Sequence, residues 1–423
     1  MPSAPPIAAT AVILAAGRGT RMNSRHPKAV HRILGRTLVQ FQTELCRSLD
    51  ISRILIVVPP GGAVQSVFGD GFEYVEQPEA LGAADALRTA LPALRGTAGP
   101  LLILPVHLPL LTVESARDLL ALHAETSAST LLSGLGVLPC VLTVSALEAA
   151  LKLLPESSGP DGDDVSDLFR LLIDAGQPVQ TLSPKGPELG VRVEDRSNLA
   201  QAAGFIRAQI LREHMLNGVT VEDPSNTYIE PDVTIGQDTV IRPQTFIATG
   251  TVIGEECEIG PFVRIANCRL GDRVSIQSAV LADSDVDDDT RIGPFAQLRP
   301  GCKIGRKVKI GNFVELKNST VEDRASMGHF AYLGDAFVGE KSNIGAGTIT
   351  CNYDGKRKHH THIGRNTFVG THATLVAPVT VGDGAFIAAG SVVTEEVPAD
   401  ALAIGRGRQV NKPDWAKQRR ERE

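Results

Sequence analysis

The chain has 423 residues, enough for two domains, and its 43% apolar content allows a sizeable core. A formal charge of −6 disfavours a nucleic-acid partner, although a local basic pocket for a phosphate remains compatible with it. The six cysteines, Cys46, Cys140, Cys257, Cys268, Cys302 and Cys351, form no CxxC pair, which argues against a zinc site or a disulfide framework and for scattered reduced thiols.

No basic leader precedes the first apolar run. TAVILAAG (10–17) is too short to span a bilayer, so neither a signal peptide nor membrane insertion is expected, and the cytoplasm is the default compartment. The same run reads as a strand ending in a turn. LVQFQTELCRSL (38–49) reads as a helix, ISRILIVVPP (51–60) as a strand, LGAADALRTALPAL (81–94) as a helix and LLILPV (101–106) as a third strand. Strand and helix alternating in this way predict an α/β domain with a parallel sheet and covering helices. SSGPDGDD (157–164) reads as a loop, residues 197–215 as a helix linking two halves, and Pro224 as a turn after it. The domain limits expected are 1–196, a linker helix at 197–218, a second domain at 219–408 and a charged tail at 409–423 that is mobile beyond Trp415.

From about Val221 the period changes. Ile235-Gly236, Ile253-Gly254, Ile259-Gly260, Ile292-Gly293, Ile304-Gly305 and Ile310-Gly311 recur, and Ile247, Ile253, Ile259 and Ile265 hold an unbroken six-residue step. A six-residue apolar step with adjacent glycine is the hexapeptide signature of a left-handed parallel β-helix, with an apolar residue at each inward position and small residues or glycine at the corners. The flat faces of such a solenoid favour a homotrimer. Residues 343–362 break the step, as an excursion from a corner would, and such an excursion is a natural binding loop.

Four long stretches carry a resemblance: IGPFAQLRPG (292–301), IGNFVELKN (310–318), MGHFAYLGDA (327–336) and NIGAGTITCNYDG (343–355). With them the chain resembles the bacterial GlmU family, which joins an N-acetylglucosamine-1-phosphate uridylyltransferase to a glucosamine-1-phosphate acetyltransferase. The resemblance implies a trimer with sites between subunits and acetyl-CoA as co-substrate. His329 matches the family's catalytic base, a task that suits an imidazole because the sugar amine must lose a proton as it attacks the thioester. Arg299 and Lys317 match the residues that hold the sugar phosphate. Tyr332, Asn343, Asn352, Tyr353 and Lys358 match further substrate contacts, with Asn352 a donor to the thioester oxygen or to the sugar. Ala346, Thr371, Ala389 and Arg406 match acetyl-CoA contacts, Thr371 standing where a serine is common.

The N-terminal half is a partial match. LAAGRGTRMNSRHPK (14–28) resembles the family's phosphate loop, in which Leu14, Ala15, Ala16 and Gly17 cradle phosphates while Arg21 and Lys28 supply charge, and Gln77 matches a uracil-recognition position. The family's LGTGHA run is LGAADA here, with Ala83 for a hydroxyl-bearing residue and Asp85 for a histidine. Its Gly-Asp-x-Pro-Leu motif is VHLPL (106–110), so His107 replaces the carboxylate that binds Mg²⁺. In VEDRSNLAQ (193–201) Asn198 matches the second metal ligand; a one-residue shift of register would place Ser197 there instead. No match to the sugar-binding segment is found between Leu111 and Ser183. A neutral imidazole is a poor Mg²⁺ ligand, and losing the carboxylate removes roughly 10³-fold or more in rate. The implied function is therefore acetyl transfer with a degenerate uridylyltransferase domain, Mg²⁺ being needed only if that domain is active. The alternatives are the full bifunctional enzyme, an acetyltransferase for another nucleotide sugar or amino sugar, and a non-catalytic trimeric scaffold. Arg299, Lys317, His329, Asn352 and Tyr353 together disfavour the last.

Overall fold

The computed structural model describes residues 9–133, 139–154 and 165–422. The turn-rich stretch 157–164 lies outside them. Two compact units divide the chain, Met1–Gln209 and Ile210–Glu423. The boundary falls within one long helix, Arg196–Leu216.

The first unit alternates strand and helix: β1 (Thr10–Leu14), a short hairpin β2 (Arg32–Ile33) and β3 (Arg36–Thr37), α1 (Leu38–Ser48), β4 (Arg53–Val58), α2 (Gln65–Phe68), β5 (Glu73–Glu76), α3 (Ala83–Leu94), β6 (Leu101–Pro105), α4 (Val113–Thr126), β7 (Ser129–Leu132), β8 (Cys140–Leu142), α5 (Val144–Leu153), α6 (Val165–Asp174), β9 (Val179–Leu182) and α7 (Arg196–Leu216). The main sheet runs β5-β4-β1-β6-β8-β7-β9. β1, β4 and β6 are covered on both faces, which is why they read as continuous apolar runs rather than alternating ones. α1 starts where Thr37 and Gln40 form a reciprocal capping box, satisfying two donors that the first helical turn leaves free.

The sheet is parallel, as expected, except at one strand. β8 runs antiparallel to both β6 and β7. The link from β7 to β8 is too short for the crossover that parallel pairing requires, so the chain must turn straight back.

The second unit is a left-handed parallel β-helix. On one face the paired inward residues are Ile235, Ile253, Leu270, Val286, Ile304, Val321 and Val338, 16 to 18 residues apart. Three hexapeptides thus make one coil. The next pair, Val338 and Ile363, is 25 residues apart, and the surplus emerges after Cys351 as an exposed excursion. Inward side chains of all coils merge into one apolar column from Leu211 to Val397.

The corners differ from expectation. Most left-handed residues of the coils are not glycine, with aspartate, phenylalanine and asparagine the commonest of the others; Phe295, Phe313 and Phe330 have φ of 59°, 56° and 42°. The Ile-Gly glycines serve close stacking instead. A Cβ on Gly254 would lie 2.6 Å from the Gly271 backbone in the next coil; among these glycines Gly260 and Gly293, each before a proline, have positive φ of 109° and 105°. Beyond the coils, Trp415–Arg420 forms a short helix, so the tail carries more local structure than its charge pattern implied. No helix among the described residues is long and apolar enough to cross a membrane.

Candidate functional site

Strands Lys309–Lys317 and Ser326–Gly334 run side by side and set Asn312 against His329, Glu315 against Tyr332 and Lys317 against Gly334. Both strands pass through a corner at Phe313 and Phe330.

His329 is at the first corner, exposed. Its Nδ1 is 2.6 Å from Asn312 Oδ1. An amide oxygen only accepts, so Nδ1 holds the proton in the neutral ring and Nε2 keeps its lone pair, the arrangement a general base requires. Met327 pairs with Ile344, Ile344 with Val369, and Val369 with Ile387. Two residues further on, His329, Ala346, Thr371 and Ala389 therefore stack in one column on successive coils. Arg406 closes the column, its Cδ 4.0 Å from a Cβ placed on Gly390. The residues matched to acetyl-CoA contacts thus form one track that begins at His329.

The second corner gathers charge. The Arg299 Nη1 donates to Glu315 Oε1 at 3.0 Å. Lys317 lies beside Lys358, whose hydrogen bond and charge, with burial and the Arg299 charge adding to them, hold the Lys317 pKa below its ordinary value. Tyr332 Oη and Asn352 Nδ2 meet over Gly334, where a Cβ would lie 2.5 and 2.7 Å from them. Asp335, buried, accepts from Asn318 Nδ2 at 2.6 Å and from Asn352 Nδ2 at 2.5 Å. The excursion is held by Asp354, which accepts from the Lys356 and Arg357 N–H groups and faces His359 Nε2 at 2.7 Å. Those contacts, the Arg357 N–H foremost, bring its pKa down to about 2.

Arg299, Lys317, Tyr332, Asn352 and Lys358 therefore converge, as a site for a sugar phosphate requires. One matched residue does not join them: Asn343 pairs with Ser326 and Phe368, on the far side of the His329 corner. Tyr353 adjoins Asn352 and bridges to Lys358 through the backbone, but its side chain is exposed and its hydroxyl donates to Gly355 O at 2.7 Å. Sequence reasoning missed Asn312, Glu315 and Asp335. Each lies inside a quoted motif, but nothing in the string says which neighbour it meets on the next coil.

In the first unit, a cleft of about 600 Å³ is lined by Leu14, Ala16, Gly17, Thr20, Gln77 and His107, among others. Ala15 is fixed by its N–H to Val57 O at 2.8 Å. Gly19 has φ 64°, and a Cβ there would strike Lys28 Cβ at 2.7 Å. Two cations of the loop are partnered: Lys28 Nζ lies 2.9 Å and Arg21 Nη1 3.6 Å from Glu194 Oε2, while Arg18 lines the cleft exposed. Burial would raise the Glu194 pKa, but the Lys28 hydrogen bond and the nearby positive charges hold it below its usual value. Gln77 Nε2 donates to Asp85 Oδ2 at 2.7 Å, so the substituted aspartate occupies the donor that would read a base.

The Mg²⁺ that the resemblance implies does not fit these residues. Burial, helped by the Lys28 charge, holds the His107 pKa at about 4, so the ring is neutral at physiological pH. Its Nε2 is buried without a partner. Asn198 lies close by, but its Oδ1 accepts the Glu194 N–H at 3.4 Å. Among the described residues no group of three or more His, Cys, Asp or Glu side chains could hold a metal. Mg²⁺ prefers hard oxygen donors; a neutral imidazole supplies none, and the carboxylate near it, Glu194, is engaged by Lys28 and Arg21.

The family model described as a MobA-like NTP transferase domain matches residues 11–166, and that described as bacterial transferase hexapeptide (six repeats) matches residues 283–318 and 360–395. Proteins described as "Bifunctional protein GlmU" are similar over nearly the whole chain. That of Geobacillus sp. (strain WCH70) is 39% identical, with 96% of this chain and 97% of that one covered. That of Brevibacillus brevis is 39% identical with 96% of each covered, and that of Acetivibrio thermocellus 38% with 96% of each. A nucleotidyltransferase-like α/β unit followed by a hexapeptide β-helix, with relatives this similar across both, means that the chain belongs to the GlmU family.

Proposed function

We propose that the protein transfers acetyl from acetyl-CoA to the amine of glucosamine 1-phosphate, giving N-acetylglucosamine 1-phosphate, a precursor of UDP-N-acetylglucosamine. The observation that carries this reading is the convergence of Lys317, Lys358 and Arg299 on one corner, where like charges stand together with the Lys317 pKa depressed. A dianion relieves that repulsion, and a sugar phosphate supplies one. The amine nitrogen attacks the thioester carbonyl, the C–N bond forms and the C–S bond breaks. The amine proton passes to His329 Nε2 and then to the departing coenzyme A thiolate. No metal or redox step is needed in this half.

A homotrimer is part of the proposal. Phe262, Phe295, Phe313 and Phe330 are 56 to 65% exposed along the corner that carries His329, and Phe295 stacks on Phe313 at 5.3 Å. An apolar ladder of that kind favours burial against a second copy. Such packing would bring a second chain to the coenzyme track.

A second reading is the fully bifunctional enzyme. The NTP-transferase match over residues 11–166 and the relatives' own description favour it. Against it stand His107 in place of the carboxylate, Glu194 on Lys28 and Arg21, and Asp85 on Gln77. The test is one preparation assayed twice. Coenzyme A release with glucosamine 1-phosphate and acetyl-CoA is expected. Pyrophosphate release from UTP, Mg²⁺ and N-acetylglucosamine 1-phosphate is expected to be absent or far slower; comparable rates would establish the second reading in place of the first.

A further inference from the structure

We propose that Asp335 is a positioning residue that fixes the orientation of the Asn352 amide, so that Asn352 presents its oxygen, an acceptor, to an N–H or O–H of the bound amino-sugar phosphate. The inference rests on the acetyl-transfer reading above. It also reverses the expectation that Asn352 acts as a donor, to the thioester oxygen or to the sugar.

An ionised carboxylate has no donor, so whichever edge of Asn352 meets it must be the nitrogen. Asn352 Nδ2 is 2.5 Å from Asp335 Oδ2. Asp335 is itself held on both sides: Asn318 Nδ2 donates to Oδ1 at 2.6 Å and the Asp335 N–H donates to Lys317 O at 3.0 Å. Its side chain cannot turn without breaking the Asn318 bond. Burial alone would favour the protonated acid, but the two amide donors and the Lys358 and Lys317 charges keep the carboxyl below its usual range and therefore ionised. Gly334 leaves the space in which Tyr332 Oη and Asn352 Nδ2 approach each other. Asn352 Oδ1 is then the free atom. It takes part in no hydrogen bond among the described residues and is not sealed away from the surface. It lies beside the cation cluster, where the sugar phosphate is expected. An acceptor there suits a hydroxyl or amine donor and would repel a developing oxyanion.

Asp335→Asn separates the two roles. The new amide at 335 keeps its oxygen toward Asn318 and turns its nitrogen toward Asn352. Asn352 must then flip, presenting a donor to the site. The proposal expects kcat/KM for glucosamine 1-phosphate to fall about 10²-fold, the scale of one lost oriented hydrogen bond, with KM for acetyl-CoA unchanged. In the swap Asp335→Asn with Asn352→Asp, the new amide donates to the new carboxylate and an acceptor faces the site again. Most of the lost kcat/KM is expected to return. Retained activity in Asp335→Asn, or a swap no better than it, overturns the proposal.

Melting temperature tests the pairing independently of turnover. Asn352→Asp alone sets two carboxylates together and is expected to lower Tm, and the swap to restore it; a swap that melts no higher than Asn352→Asp overturns the pairing. If wild-type protein releases no coenzyme A with glucosamine 1-phosphate, the acetyl-transfer reading fails while the melting data still decide the orientation of Asn352.

Discussion

The two units balance their cations to different degrees. In the N-terminal cleft, Lys28 and Arg21 meet Glu194, and the donor of Gln77 meets Asp85. In the β-helix, Lys317 and Lys358 face each other, and the repulsion is visible in the depressed Lys317 pKa. A site poised for an anion holds like charge that its own carboxylates, Glu315 on Arg299 and Asp335 near Lys317, offset only in part, and its ligand then removes the rest. A cleft in which Lys28 and Arg21 already meet a carboxylate, leaving Arg18 as its exposed cation, has less to gain from a triphosphate. The same residue types that resemble a phosphate loop therefore carry different functional weight in the two units.

The largest expected effect is at the base. His329→Ala should lower kcat for acetyl transfer by about 10²- to 10⁴-fold, the range for a general base, with acetyl-CoA binding by calorimetry little changed. Near-full activity would remove the β-helix from the comparison as a catalytic site.

Acid should reach the N-terminal unit through His107. Its folded pKa of about 4 lies below the 6.5 of an ordinary histidine. The unfolded chain therefore binds the proton first as pH falls. The stabilisation is present in full above pH 6.5 and is lost toward pH 4, an effect of up to about 3 kcal/mol. Lys28, Arg192 and Glu194 face the ring, Glu194 opposing the other two. A pH series of thermal melts should show this slope in wild type and a flatter one in His107→Gln. Equal slopes would mean that His107 is not held neutral by burial.

Binding of glucosamine 1-phosphate should draw Lys317 back toward its ordinary pKa. At alkaline pH, between its depressed and ordinary values, binding should take up protons, seen as a dependence of calorimetric heat on buffer ionisation enthalpy. Lys358→Ala should raise KM for the sugar phosphate about 10-fold and abolish the proton uptake. Persistence of the uptake would dissolve the contrast between the units.

The smallest effect is expected at Thr371→Ser, which keeps the hydroxyl on the coenzyme track. KM for acetyl-CoA should stay within about 2-fold of wild type, the scale of a substitution that breaks no packing or pairing.

Much of this architecture was legible in the string of residues. A six-residue step of isoleucines can be satisfied by a β-helix and by little else, because each coil must return an apolar side chain to the same interior line. The strands around Val12, Ile56 and Ile103 were legible for a related reason: burial on both faces leaves no room for polar alternation. His329, Lys317, Arg299 and Asn352 were legible through long motifs. The exchange of a carboxylate for His107 was equally plain, since a change of ligand chemistry shows in the residue type itself.

Other features were decided only by the tertiary structure. The alignment of His329 with Ala346, Thr371 and Ala389 depends on register across coils that an excursion makes unequal in length. The antiparallel β8 depends on a short return that apolar pattern does not encode. Glu194 reaches Lys28 across 166 residues of chain. The edge of Asn352 that faces the site is set by Asp335, 17 residues earlier and one coil away. Residue type and periodicity determine what can be buried and what can ionise. Which donor meets which acceptor is a matter of distances between segments far apart in the chain, and only the folded arrangement fixes those.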